Sequence, residues 1–548
     1  MMKRLLLCPL LALLTLTTRR QLQWGDQGNG TYINPVLNAD FSDPDVIRVG
    51  AKYYMVASDF HFVGMQVLES DDLVNWRIIS QVYDRFDYPG WNENRHFGGG
   101  SWAPSIRWHD GRFYIYFCTY EEGLFMSSAE DPHGPWTPLH CLKEIPKWED
   151  PCPFWDDDGQ AYLGRSRHRA GPIIVHRMSA DGKQLLDDGV TVYTGPVAEG
   201  TKFMKRNGYY YLIIPEGGVG QGWQTVLRAK NIYGPYEKRV VLEQGSTVIN
   251  GPHQGALVDT PDGEWWFLHF QETQPRGRVV HLQPARWKDD WPLMGVDIDG
   301  NGIGEPVTVW NKPIASQANG ELGANRYNHH SRPDGNRNPQ QSTISPQLST
   351  QLSDDFDADG TYWVGNQQRA LKLQWQWNHN PDNEAWSLDE RKGWLSMHAL
   401  KADSLKNSRN MLTQKTVGYE SEATTLMDCS KLKEGDYAGL LCTGKRFMGI
   451  GIGKINGRLH LLTEQDGRRT VIRTWNKPTI YLRITADSRN NVHHFSVSSD
   501  GKHFEPVGET FAMQMGAWKG TRVGLFCYNT IGTGGCARFD YFRYAILK

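Results

Sequence analysis

One pattern recurs five times between about residues 31 and 310: a Gly-containing turn, an aromatic-rich strand, then a second strand running into a polar turn. Its lead aromatics fall at Tyr53, Phe113, Tyr162, Tyr210 and Trp265, spaced 60, 49, 48 and 55 residues apart. A period of about 40–50 residues is the mark of propeller blades. A propeller gathers the start of every blade around one central axis, so residues distant in sequence meet at the hub. Three repeats carry an acid at a comparable point: Asp43 in Ser42-Asp43-Pro44, Asp150 in Glu149-Asp150-Pro151 and Glu199 in Ala198-Glu199-Gly200. Each alone is ordinary turn chemistry, since Asp before Pro commonly starts a turn. Their ordered recurrence at matching blade positions makes them a candidate set of converging carboxylates.

The repeat segments are rich in β-branched and aromatic residues, bounded by Gly, Asp and Pro, and show no sustained helical period. The expected fold is all-β: a five-bladed propeller over residues 31–310. From Asn311 to Gln351 the composition turns to Asn, Gln, Ser, Pro and Gly, which cannot bury enough apolar surface to order as a domain; residues 311–351 read as a linker. Short strands with frequent turns resume over 352–548, the pattern of a β-sandwich. The chain opens on Met1-Met2-Lys3-Arg4 and an apolar run from Leu5 to Thr18, which matches a secretory leader over about residues 1–22 and is too short to span a membrane. An exported, periplasmic protein is expected. Of eight cysteines, Cys8 falls in the leader; the odd remainder argues against a full disulfide framework, although Cys527 and Cys536 are placed to pair across a turn. A net charge of −2 gives no electrostatic footprint for nucleic acid.

Converging carboxylates are the equipment of glycoside hydrolysis. Asn34-Pro35-Val36-Leu37 leading into Asp43-Pro44-Asp45, then Trp102-Ala103-Pro104, Glu149-Asp150-Pro151 before Asp156-Asp157-Asp158-Gly159, and Ala198-Glu199-Gly200, taken in that order, resemble glycoside hydrolase family 43. The tail resembles the lectin-like, concanavalin-type sandwich joined to members of that family, its last strand reading Phe539-Asp540-Tyr541-Phe542. The resemblance implies inverting hydrolysis, with Asp43 as general base, Glu199 as general acid and Asp150 orienting the acid and tuning its pKa. Asp45 is the rival base. For Glu199 to hold a proton near neutrality its pKa must be raised, by desolvation or a nearby anion.

The resemblance further implies that Trp102 lines the pocket, that His253 sits near the propeller axis against a bound cation or central water, and that Arg278 binds sugar hydroxyls, with Arg276 its rival. Phe60 is a candidate apolar wall. The expected activity is an exo-glycosidase releasing terminal α-L-arabinofuranosyl units from plant hemicellulose, with β-1,4-xylosidase the close alternative and a non-catalytic carbohydrate-binding protein the rival of another class. No cofactor is expected to be required. Asp297-Ile298-Asp299-Gly300-Asn301-Gly302 opens like a calcium loop but has Thr308 where a bidentate Glu belongs. Asp354-Asp355-Phe356-Asp357 with Asp540 resembles a structural calcium site of related modules, outside the chemistry.

Overall fold

The computed structural model describes residues 24–313 and 351–547. The leader, Cys8 and most of the linker lie outside the described residues. Five antiparallel units follow one another along the chain, each one blade: four are four-stranded sheets, and the first contributes four strands to a six-stranded sheet. Their first strands are Ser42–Val49, Trp102–His109, Trp148–Trp155, Lys202–Arg206 and His253–Asp259. The repeated aromatics all sit in the second strands, Lys52–Ser58, Arg112–Cys118, Ala161–Arg167, Tyr209–Glu216 and Trp265–Thr273. The period therefore reports the second strand of each blade, whose lead rings Tyr53, Phe113 and Tyr162 are buried and Tyr210 and Trp265 half-buried. The ring closes where the last blade meets the first: Val36 N donates to Val280 O at 2.8 Å, and Arg48 pairs with Asp259 at 2.7 Å. A three-stranded sheet of Gly25–Asp26, Thr31–Ile33 and Val309–Asn311 ties the two ends of the region together.

The sandwich has two main sheets. In one, Glu420–Lys431 and Thr479–Asp487 alternate buried and part-exposed residues along their length, the period-2 signature of a strand with one face on a core. In the other, Asp436–Thr443 and Arg522–Asn529 are buried throughout, because a second apolar cluster covers the outer face, including Leu405 and Phe447 with Phe97 of the propeller packed against it. The hairpin Tyr362–Val364 and Gln367–Arg369 departs from the sandwich and extends blade one, Val364 bridging Gln81.

Cys527 and Cys536 do not pair, and all seven cysteines of the described residues are free thiols. The two lie in strands of different sheets, Cys527 opposite Ala438 and Cys536 opposite His398. No helix among the described residues is long and apolar enough to cross a membrane.

Candidate active site

Each blade contributes to one pocket from the start of its first strand. Asp43, Trp102, Asp150 and His253 open four of those strands, and Glu199 precedes the fifth. Four of the five strands carry a register break at that point: between Ser42 and Asp45, Trp102 and Ser105, Glu149 and Cys152, and His253 and Gly255. Such bulges re-aim side chains beside active sites. Backbone strain concentrates there too, with positive φ at Asp43 (54°), Phe60 (55°), Ala103 (42°), Asp150 (55°) and Val197 (55°), conformations that persist only where surrounding contacts impose them.

Those contacts are hydrogen bonds. Ser58 Oγ donates to Asp43 Oδ2 at 2.6 Å and accepts from Ala103 N at 2.6 Å, linking blades one and two. Arg278 Nη1 donates to Asp43 Oδ1 at 2.7 Å, so both oxygens of Asp43 accept. Asp150 accepts from Ser166 Oγ, from Gly200 N at 2.8 Å and from Gln254 Nε2 at 3.1 Å. Gly200 must be glycine: its φ is +64°, and a Cβ would stand 2.5 Å from Pro215 Cδ. The Gly200-Thr201-Lys202 run after Glu199 is thereby fixed, and Lys202 Nζ donates to Ser105 Oγ at 2.9 Å.

His253 Nε2 lies 2.7 Å from Glu199 Oε1, while its buried Nδ1 has no protein partner among the described residues. The expectation of a raised Glu199 is corrected here. Burial pushes its carboxyl up, but the hydrogen bond and charge of His253, with Arg278 and His168, bring it below the ordinary range. Burial and the Glu199 charge instead raise Asp150 to about 6. Glu149 rises to about 9, through burial and then the charges of Asp150, Glu199 and Asp43.

The cavity holds about 410 Å³ and is lined by Asp43, Phe60, Trp102, Glu149, Asp150, His168, Glu199, His253 and Arg278, at the small end of ligand pockets. All seven residues singled out from the sequence converge on it. The two rivals do not. Asp45 is fully buried, accepting from Ile106 N at 2.8 Å and Arg107 Nη1 at 2.6 Å. Arg276 hydrogen-bonds Asn38 Oδ1 and lies 4.4 Å over the Tyr419 ring.

Sequence reasoning missed Glu149, His168 and Trp518. Trp518 reaches the pocket from the sandwich, edge-on to Trp102 at 6.5 Å, its carbonyl accepting from Ser42 Oγ at 3.3 Å. The calcium-like loop caps itself: Asp297 accepts from Gly300 N and Gly302 N at 2.8 and 3.1 Å. Asp355 pairs with Arg543, and Asp540 feels Arg391 and Arg543 as well as Asp355 and Asp357.

The sequence profile of Glycosyl hydrolases family 43 matches residues 32–292, and that of the Beta xylosidase C-terminal Concanavalin A-like domain matches residues 353–545. A "Putative beta-xylosidase" of Xylanibacter ruminicola is 59% identical over 501 residues, 91% of this chain and 87% of the relative. The chain belongs to glycoside hydrolase family 43. A beta-xylosidase of Formosa agariphila is 34% identical over 581 residues, 95% of this chain and 91% of the relative. Among solved structures, the family 43 BlXynB protein of Bacillus licheniformis superposes with a TM-score of 0.76 at 26% identity, covering 94% of this chain and 99% of that one. Membership makes the protein a glycosidase acting on carbohydrate, and the propeller and concanavalin-like sandwich expected from the sequence are the fold it has.

Proposed function

We propose that the protein is an inverting exo-β-xylosidase that removes terminal xylosyl units from plant xylo-oligosaccharides. The observation that carries this reading is the meeting of Asp43, Asp150 and Glu199, from three separate blades, in one small pocket walled by Phe60, Trp102 and Trp518. Asp43, with Ser58 and Arg278 donating to its two oxygens, is the general base that takes a proton from water. Glu199 is the general acid that protonates the leaving oxygen. Asp150, fixed by Ser166, Gly200 and Gln254, is a positioning residue for Glu199. Arg278 also faces the sugar hydroxyls. Water attacks the anomeric carbon opposite the departing oxygen, so the product has the inverted configuration.

The choice of sugar departs from the arabinose expectation. Two relatives that are 59% and 34% identical over nine-tenths of the chain are named "Putative beta-xylosidase" and "Beta-xylosidase", which favours the xyloside. Side-by-side rates on aryl β-xyloside and aryl α-L-arabinofuranoside test it: the xyloside is expected to be the better substrate, and a clear preference for the arabinofuranoside would overturn the assignment. Glu199→Gln is expected to slow xylobiose hydrolysis by roughly 10²–10⁴-fold and to affect an activated aryl leaving group far less.

A further inference from the structure

We infer that Glu149 is a positioning residue for the general acid, and that Glu149, Asp150 and Glu199 hold the acid proton as one cluster. The inference rests on Glu199 being the acid. Each of the three carboxyls offers an oxygen, and all three oxygens lie within 4.8 Å of one another. Glu149 is 8% exposed and lines the pocket. One of its oxygens is held by His168 Nδ1 at 2.7 Å. His168 is in turn packed against Trp102 at 5.6 Å and Tyr120 at 4.8 Å.

The charges facing this cluster are few. Arg278 is paired with Asp43, His253 lies on Glu199 and His168 on Glu149. Arg169 also lines the pocket, and burial first, then the charges of Arg169 and Lys147, disfavour the cationic form of His168. Three crowded carboxyls in a desolvated pocket cannot all ionise near neutrality, because each anion raises the proton affinity of the next. When sites interact this strongly, the apparent pKa belongs to the group and not to one residue.

The direction of the individual shifts agrees. In the free pocket the proton favours Glu149 over Glu199, one carboxyl away from where the leaving oxygen uses it. The balance closes within the cluster: a proton passes from the Glu149 carboxyl to the Glu199 carboxylate, leaving Glu149 an anion. Glu199 then gives its proton to the leaving oxygen, and Asp43 takes one from the attacking water. Proton release from Asp43 to solvent and uptake by the cluster restore the starting state.

Removing one titrating site tests this. With two anions beside it, the last proton of three carboxyls is held more tightly than the last proton of two. Glu149→Gln is therefore expected to move the alkaline limb of the kcat/KM profile on aryl xyloside towards acid by about one pH unit or more, while the rate on the acid side stays within about tenfold of wild type. An unmoved limb, or loss of turnover at every pH, would overturn the inference. Should the variant not fold, infrared spectra of the wild type serve instead: a carboxylic-acid carbonyl band from a buried site is expected to persist at about pH 8, and its absence counts against the cluster. A wild type inactive on both aryl pentosides would sink the proposed function. An active wild type with an unmoved limb in Glu149→Gln would sink only this inference.

Discussion

At the scale of single residues, donors and acceptors decide which acid does what. Asp43 accepts from two donors on separate strands, so Asp43→Asn keeps the shape but turns an acceptor towards the water's proton into a donor. A loss of roughly 10²–10⁴-fold in kcat is expected, with far-ultraviolet circular dichroism unchanged; near-wild-type turnover would remove the base assignment. Glu149 carries a stability signature as well. Its folded pKa of about 9 stands above its ordinary 4.5, so the folded state binds the extra proton. The fold is therefore unpenalised below about 4.5 and loses stability as pH rises towards about 9, by up to about 1.4 kcal/mol per pH unit. Gln cannot ionise and escapes that loss. The melting temperature of Glu149→Gln minus that of wild type is expected to rise from acid to alkaline pH, and a flat difference would show that Glu149 ionises in the folded protein as it does in water.

Among the elements, the informative ones are the bulged starts of the innermost strands. Asp43, Trp102, Asp150 and Glu199 were legible in the sequence because each sits in a short ordered motif on a repeat whose period announces the hub. Glu149 was not, although it is Asp150's neighbour. In a regular strand adjacent side chains point to opposite faces, and only the bulge with Asp150 at φ 55° brings both to the pocket. His168 follows the second strand of the same blade and carries no motif. Arg278 and Arg276, two residues apart, could be separated only by seeing which one meets Asp43. Gly200 tests the element directly. Gly200→Ala forces a Cβ to within 2.5 Å of Pro215 in a left-handed conformation, a strain of about 1–3 kcal/mol. It displaces the amide that holds Asp150. A lowered melting temperature together with a kcat/KM loss of roughly tenfold or more is expected from kinetics and calorimetry; a loss of stability with full activity would show that this amide does not set the acid's geometry.

At the scale of the whole molecule, propeller and sandwich are joined by a shared core, which the composition shift at residue 311 hides. Propeller and sandwich share one apolar cluster, in which Phe41 and Trp76 of the first blade pack with Trp375, Leu482 and Phe542 of the tail. Polar contacts cross as well: Gln66 Nε2 and Gln81 Nε2 donate to Leu373 O at 3.0 and 2.9 Å, and Gly418 N donates to Asn38 O at 2.8 Å. The sandwich also places Trp518 in the pocket, from a loop 476 residues beyond the Ser42 that anchors it; a contact of that separation leaves no trace in local pattern. Trp518→Ala, which leaves the propeller's acids in place, is expected to raise KM for xylobiose several-fold with kcat changed less, and an unchanged KM would place Trp518 outside the bound sugar's reach. Between the two halves lies a buried ion pair, Lys415 Nζ to Asp59 Oδ1 at 2.8 Å, with side chains 7% and 1% exposed. Asp59 also accepts from Gln66 N at 2.9 Å beside the first blade's third strand. Deleting one partner of such a pair strands the other's charge, at a cost of about 3–5 kcal/mol. Lys415→Met is therefore expected to lower the melting temperature by several degrees while unfolding stays a single transition, because neither half keeps its share of the core alone. Two resolved transitions in calorimetry, with the sandwich melting first and the propeller still hydrolysing aryl xyloside, would show instead that the interface joins two independent bodies.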